Sequence, residues 1–230
     1  MDIDILSLFP EYFEGPLNVS LLKRAIEHEH IKVELTNIRD YAKGPHRQVD
    51  DRPFGGGPGM VLMAEPVTEA IEDKRRADSH VVYLSPQGRP LDAKMAQELS
   101  KKTHLILLCG HYGGIDERIL DHVDQEISIG DYVLTNGCLP ALVLVDAMMR
   151  FIPDVVGHPD SVNEDSFQGG LLGPPQYTRP QSLEGRQVPS VLLNGNHAEI
   201  AKWRKEQALK KTSRVRPDLY DRYLREGEKP

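Results

Sequence analysis

The chain has 230 residues, enough for one α/β domain and a small appended one. Hydrophobic residues at 39% and charged residues at 27% describe an ordinary globular protein, and the absence of any run of about 18 apolar residues argues against a membrane span. A net charge of −7 excludes a protein that grips nucleic acid by bulk charge alone.

The charge is unevenly spread. Arg179 to Pro230 holds 12 Lys and Arg against 7 Asp and Glu, a net of +5, which leaves −12 for the rest. Between Lys202 and Arg216 lie seven basic residues and one acidic one, Glu206. Such a stretch is either a solvated helix face or a phosphate-contacting surface. Met1 to Leu8 alternates apolar and acidic residues without a basic start, so no signal peptide is expected and the cytoplasm is the natural compartment. Cys109 and Cys138, the only cysteines, sit in apolar or Gly-rich surroundings and read as buried free thiols.

In chain order, Ile3–Leu8 and Lys32–Ile38 alternate apolar with polar residues, as half-buried strands do. Val81–Leu84 and Leu105–Cys109 are short apolar runs of the kind a parallel sheet buries on both faces. Between them Asp92–Lys102 has helical spacing, with Ala93, Ala96 and Leu99 on one side. Leu139–Phe151 is apolar almost all round, which predicts a helix in a core or at a subunit interface. Asn136-Gly137 marks its start and Pro140 lies in its first turn. Residues 157 to 180 are rich in Gly, Pro, Asp and Ser, and Asn196 then caps a further helix, with Glu199 three residues on. The expected organisation is an α/β domain over 1–156, a linker over 157–172 and a small, mainly helical domain over 173–230.

Several chemistries are excluded by pattern. No Walker loop, dinucleotide fingerprint, H-E-x-x-H zinc motif or G-x-S-x-G elbow occurs. What remains is three strand-to-loop transitions: Tyr83 to Gly88, Cys109 to Gly114, and Ile127 to Gly137. Glycines at the carboxyl ends of parallel strands are either simple turns or the wall of a ligand pocket. Gly55 to Met60, preceded by Arg52, is a fourth glycine cluster, a lid, a close-approach surface or a plain loop. Asp165 and Arg150 are the most reactive-looking residues around the linker. A carboxylate suits a general base and a guanidinium suits a developing oxyanion, although by spacing alone a turn residue and a helix-end charge are the better explanations.

Taken together, Leu8-Phe9-Pro10, Gly55 to Met60, Tyr83 to Gly88, Gly110 to Arg118, Ser128 to Leu134, Leu139-Pro140-Ala141, Glu164 to Phe167, Tyr177 to Pro180 and Gly195 to Ile200 form an ordered series. In it the chain resembles the bacterial tRNA (guanine-N1)-methyltransferases of the SPOUT superfamily, from residue 1 to about 217. The resemblance implies a deep trefoil knot in the α/β domain and an obligate homodimer whose active sites are shared between subunits. It also implies methyl transfer from S-adenosylmethionine to guanosine 37 of tRNA, with Mg²⁺ taking part; another SPOUT RNA methyltransferase of different target is the alternative. By the same resemblance the cofactor contacts fall on Tyr83, Leu84, Ser85, Pro86, Gly110, Gly114, Ile129, Gly130, Asp131, Tyr132, Val133, Leu134, Gly137 and Pro140. Asp165 corresponds to the general base and Arg150 to the residue that stabilises charge on guanine O6. RNA contacts are expected at Pro58, Gly59, Lys202, Arg204, Lys205 and Arg214. The chain departs from the family pattern at four positions. His111 stands where Arg is common and Gly113 where Glu is usual, while Asn136 replaces a Gly and Cys138 a Glu.

Overall fold

The strand-like runs assemble into one parallel sheet in the computed structural model, which describes residues 1–157, 162 and 165–227. Part of the expected linker, residues 158–161, 163 and 164, lies outside the described residues, and so does the end of the expected C-terminal domain, residues 228–230. The chain divides into two compact units, Met1–Gly157 and His158–Pro230.

In the first unit the order is β1 (Asp2–Ser7), α1 (Glu14–Leu17), α2 (Ser20–Glu27), β2 (Lys32–Asn37), β3 (Asp50–Asp51), β4 (Val61–Leu62), α3 (Ala64–Lys74), β5 (Ser79–Pro90), α4 (Ala93–Leu99), β6 (His104–Cys109), β7 (Gln125–Ser128) and α5 (Cys138–Met149). The main sheet runs β2-β1-β6-β5-β7, every neighbouring pair parallel. Alternate side chains serve opposite faces. Ile3, Ile5, Leu105, Leu107, Val82 and Leu84 pack with α2, α4 and α5, whereas Leu6, Ile106, Leu108, Val81 and Tyr83 pack with α3 and the 3-10 turn at Glu117–His122. The result is a sheet covered on both sides, the usual requirement of parallel strands. Among the described residues no helix is long and apolar enough to cross a membrane.

β1 departs from its half-buried pattern. It lies inside the sheet between β2 and β6, and its polar residues Asp4 and Ser7 are buried with the apolar ones. Asp4 Oδ2 lies 2.7 Å from His104 Nε2, and His104 Nδ1 lies 2.7 Å from Ser79 Oγ, so a buried polar chain links three adjacent strands. β2, an edge strand, keeps the alternating exposure its sequence predicts.

β5 outlasts its apolar run. Val82–Leu84 pair with Gln125–Ile127, then the register breaks and Arg89–Pro90 pair with Ile127–Ser128. The residues between bulge over β7. At Gly88 a Cβ would stand 2.4 Å from the backbone of Glu126 and Ile127, so only glycine passes.

The second unit carries a two-residue hairpin, β8 (Ser182–Leu183) with β9 (Arg186–Gln187), and two helices, α6 (His197–Val215) and α7 (Pro217–Glu226). Asn196 caps α6 as its sequence predicts, its side chain accepting the Glu199 N–H. The Glu199 carboxylate is taken instead by the Asn194 amide at 2.8 Å. Tyr177 packs near Trp203, ring centroids 6.3 Å apart.

Replacing Asp4 with Ala strands the His104 imidazole in the core without its acceptor. The expected loss is about 2–4 kcal/mol of folding stability, with Asp4→Asn milder. Denaturant midpoints of the two variants check this, and equal stability of Asp4→Ala and the parent would contradict it.

Candidate active site

Because β5, β6 and β7 are parallel, their carboxyl ends meet at one edge of the sheet, and the three loops that follow them enclose a cavity of about 350 Å³. This is the size range of small-molecule sites. Every cofactor position expected from the sequence lines it except one: Tyr83, Leu84, Ser85, Pro86, Gly110, Gly114, Ile129, Gly130, Tyr132, Val133, Leu134, Gly137 and Pro140. Asp131 does not; its side chain is exposed. The reason is local, because Gly130 and Tyr132 on either side of it already turn to the cavity.

The wall also holds Gln87, His111, Tyr112, Gly113, Ile127, Ser128, Thr135 and Asn136, all in the three loops the sequence singles out, and Ile115, Glu117, Leu120 and Glu126, which sequence reasoning missed. Those inside the three loops were reachable by taking each loop whole. Leu120 and Glu126 come from a 3-10 turn and a strand, and only the fold brings them there.

The loops are wired by backbone contacts. Gly137 donates its N–H to Gly110 O at 2.8 Å, and a Cβ on Gly137 would stand 2.8 Å from Cys109 Cα and Gly110 N. The Tyr83 ring lies against Gly110, and burial pushes its phenol up to about 12. Ser128 and Gly130 bond each other through the Ser128 hydroxyl, and Tyr132 N–H donates to Gly130 O at 2.8 Å. The glycine-rich segment between β3 and β4 joins this rim: Gly113 N–H donates to Met60 O at 2.9 Å and Leu62 N–H to Gly114 O at 3.0 Å. Pro58 and Gly59 are exposed in that segment.

Of the four positions expected to differ from the family pattern, His111, Gly113 and Asn136 line the cavity, whereas Cys138 is fully buried and does not. Asn136 Oδ1 accepts the Cys138 N–H at 2.9 Å and so caps the first turn of α5. Cys138 Sγ lies 3.2 Å from Ser7 Oγ, and both thiols are buried and free, as the sequence reading expected. Contact with the Cys109 thiol, then with His111 and Ser7, holds Cys138 down at about 5, while burial pushes Cys109 far up. His111 is 5% exposed and packs edge-on to Phe9. Among the described residues its Nε2 is the buried side-chain atom left without a hydrogen bond.

Arg150 follows α5 as its C-cap, half-buried, in the first unit. Asp165 is exposed in the second. Glu164, beside it, lies outside the described residues. Lys202, Arg204, Lys205 and Arg214 are exposed on α6. Among the described residues no group of three or more His, Cys, Asp or Glu side chains that could hold a metal ion is found.

A methyl group at 137 would force the β6 and β7 loops apart. Gly137→Ala is therefore expected to lower folding stability by roughly 1–3 kcal/mol, the usual cost of overpacking. Denaturant midpoints read this directly; unchanged stability would show that the Gly110–Gly137 contact tolerates a side chain.

Comparison with known proteins agrees in kind, although the chain spans less than two thirds of some of the relatives it matches. The family model described as tRNA (Guanine-1)-methyltransferase TrmD matches residues 1–222. A relative from Protochlamydia amoebophila (strain UWE25) is 62% identical over 220 residues, 95% of this chain and 99% of its own length. One from Chlamydia pneumoniae is 59% identical over 225 residues, 97% of this chain but 62% of its own length. A more distant one from Dictyoglomus turgidum is 51% identical over 220 residues, 96% of this chain and 90% of its own length. All three bear the name tRNA (guanine-N(1)-)-methyltransferase. With its three cavity loops and nearly its whole length inside the match, the chain belongs to the tRNA (guanine-1)-methyltransferase family.

Proposed function

We propose that this protein transfers a methyl group from S-adenosylmethionine to N1 of guanosine 37 in tRNA. The observation that carries the reading is the glycine-walled cavity at the carboxyl ends of β5, β6 and β7, in a chain matched by the family model from residue 1 to 222. Gly110, Gly114, Gly130 and Gly137, with Leu84, Pro86 and Pro140, form part of a cavity of mixed polarity large enough for an adenosine-sized ligand. When bound, the cofactor supplies a methyl group on a sulfonium, an electrophile that leaves a neutral thioether behind.

The remaining chemistry belongs to the protein. Guanine N1 is a poor nucleophile while it carries its proton, so Asp165 takes that proton as general base. Removal of the proton drives negative charge onto O6, and the Arg150 guanidinium stabilises it there. The cavity walls align N1 with the methyl, which converts an encounter into a single oriented displacement. No step is assigned to Mg²⁺.

Exposed Lys202, Arg204, Lys205 and Arg214 on α6, with Pro58 and Gly59 near the cavity rim, would meet the tRNA backbone. The reading includes a homodimer, supported by the exposed apolar face of α5, where Leu139 and Val143 lie one turn apart and are 44% and 45% exposed. It also includes a knotted chain, supported by the tight backbone passages at Gly88 and Gly137. The cytoplasm is the compartment that fits a tRNA substrate.

The test is methyl transfer to two tRNA transcripts that differ only in carrying guanosine or another base at position 37. Methylation of the first alone is expected, with 1-methylguanosine as product. Asp165→Asn should lower turnover by about 10²–10⁴-fold, the usual worth of a general base, while cofactor affinity holds. Equal labelling of both transcripts would overturn the positional claim.

A further inference from the structure

Asp165 is not on a plain tether. The described residues around it fold into a small closed loop: Phe167 N–H donates to Leu171 O at 2.7 Å, Gly170 N–H to Phe167 O at 3.2 Å, and Gln168 N–H to Asp165 O at 3.4 Å. Phe167 has φ +80, a left-handed conformation that a bulky residue adopts only when its surroundings hold it there. Two hydroxyls fasten this loop. Ser166 Oγ, next to Asp165, accepts the Gly173 N–H at 2.9 Å and closes the loop across its ends. Thr212 Oγ1 accepts the Leu172 N–H at 2.9 Å and ties the closed loop to α6.

Thr212 is an unusual residue for its place. It is fully buried on a helix otherwise rich in charged residues, and β-branched residues with a hydroxyl are indifferent helix formers. Apolar Val or Ala would fill the same space with no polar group to satisfy. The hydroxyl instead uses both of its capacities, donating to Ala208 O at 2.7 Å while accepting from Leu172. A buried hydroxyl saturated in this way fixes the position of what it bonds.

We propose that Thr212 is a positioning residue for the methyl-transfer reaction: through Leu172, Gly173 and Ser166 it holds the 165–173 loop on α6 so that the Asp165 carboxylate is offered in one orientation. The proposal rests on the reading of Asp165 as the general base. Thr212 itself touches no reacting atom. Its effect travels through a hydrogen-bonded path of five residues inside the second unit.

The experiment uses the full-length enzyme with a guanosine-37 tRNA transcript and S-adenosylmethionine. Thr212→Val keeps the shape and removes the hydroxyl; Thr212→Ser keeps the hydroxyl and loses a methyl. Thr212→Val is expected to lower kcat by about tenfold or more, the scale of a small misplacement of a reacting group, with KM for S-adenosylmethionine unchanged. Thr212→Ser should restore kcat, and Ser166→Ala should fall in the same direction as Thr212→Val without touching the core of α6. Added to Asp165→Asn, Thr212→Val should cost nothing further. Wild-type kcat in Thr212→Val beside an inactive Asp165→Asn would overturn the proposal while leaving the general base in place. Equal losses in the Val and Ser variants would overturn it too, since packing alone would then account for the residue. Wild-type turnover of Asp165→Asn would remove the underlying reading, and that result is read without reference to Thr212.

Discussion

The structure depends on how closely backbone can approach backbone at the carboxyl ends of β5, β6 and β7. Gly88 lies against the Glu126–Ile127 peptide, and Gly137 lies against Cys109 and Gly110, each at a distance no side chain permits. The Gly137 N–H bond to Gly110 O closes the contact. Three loops are thereby drawn to one end of the sheet, where they enclose the cavity. Such a cavity suits a ligand whose recognition depends on shape and on a few directed hydrogen bonds.

Behind that edge the sheet carries polar groups that its position would ordinarily forbid. Asp4, His104 and Ser79 satisfy one another at the amino end of the strands. Ser7 and Cys138 do so at the carboxyl end, beneath the cavity, with Cys109 and His111 close by. Paired polar groups inside a core set register as much as stability. At the carboxyl end they join β1 to the β6 loop and the first turn of α5, so two elements of the cavity share one buried cluster with the strand beneath them. Of the four positions read as departures from the family pattern, His111, Asn136 and Cys138 belong to this cluster or border it.

The second unit divides its work between surface and interior. Its exposed basic side chains line α6, while the single buried hydroxyl of that helix, Thr212, faces inward to the loop that begins at Asp165. One helix thus presents charge to solvent and order to a loop.

Much of this was legible in the sequence. The apolar runs at Val81–Leu84 and Leu105–Cys109, the helical spacing after Asp92, the Asn196 cap and the apolar helix after Gly137 follow from local rules of periodicity and capping, and each appears where those rules put it. The cavity loops were visible as glycine clusters after strands. What local rules could not supply was neighbourhood. The burial of Asp4 required β1 to sit between β2 and β6, and the arrival of Leu120 and Glu126 at the cavity required a particular strand order. The exclusion of Asp131 from the wall and the bond from Thr212 to Leu172 likewise join or separate residues that spacing treats alike. Periodicity reports which face of an element is apolar. Which elements those faces meet is settled only when the whole chain packs, and there tertiary structure alone decided the site.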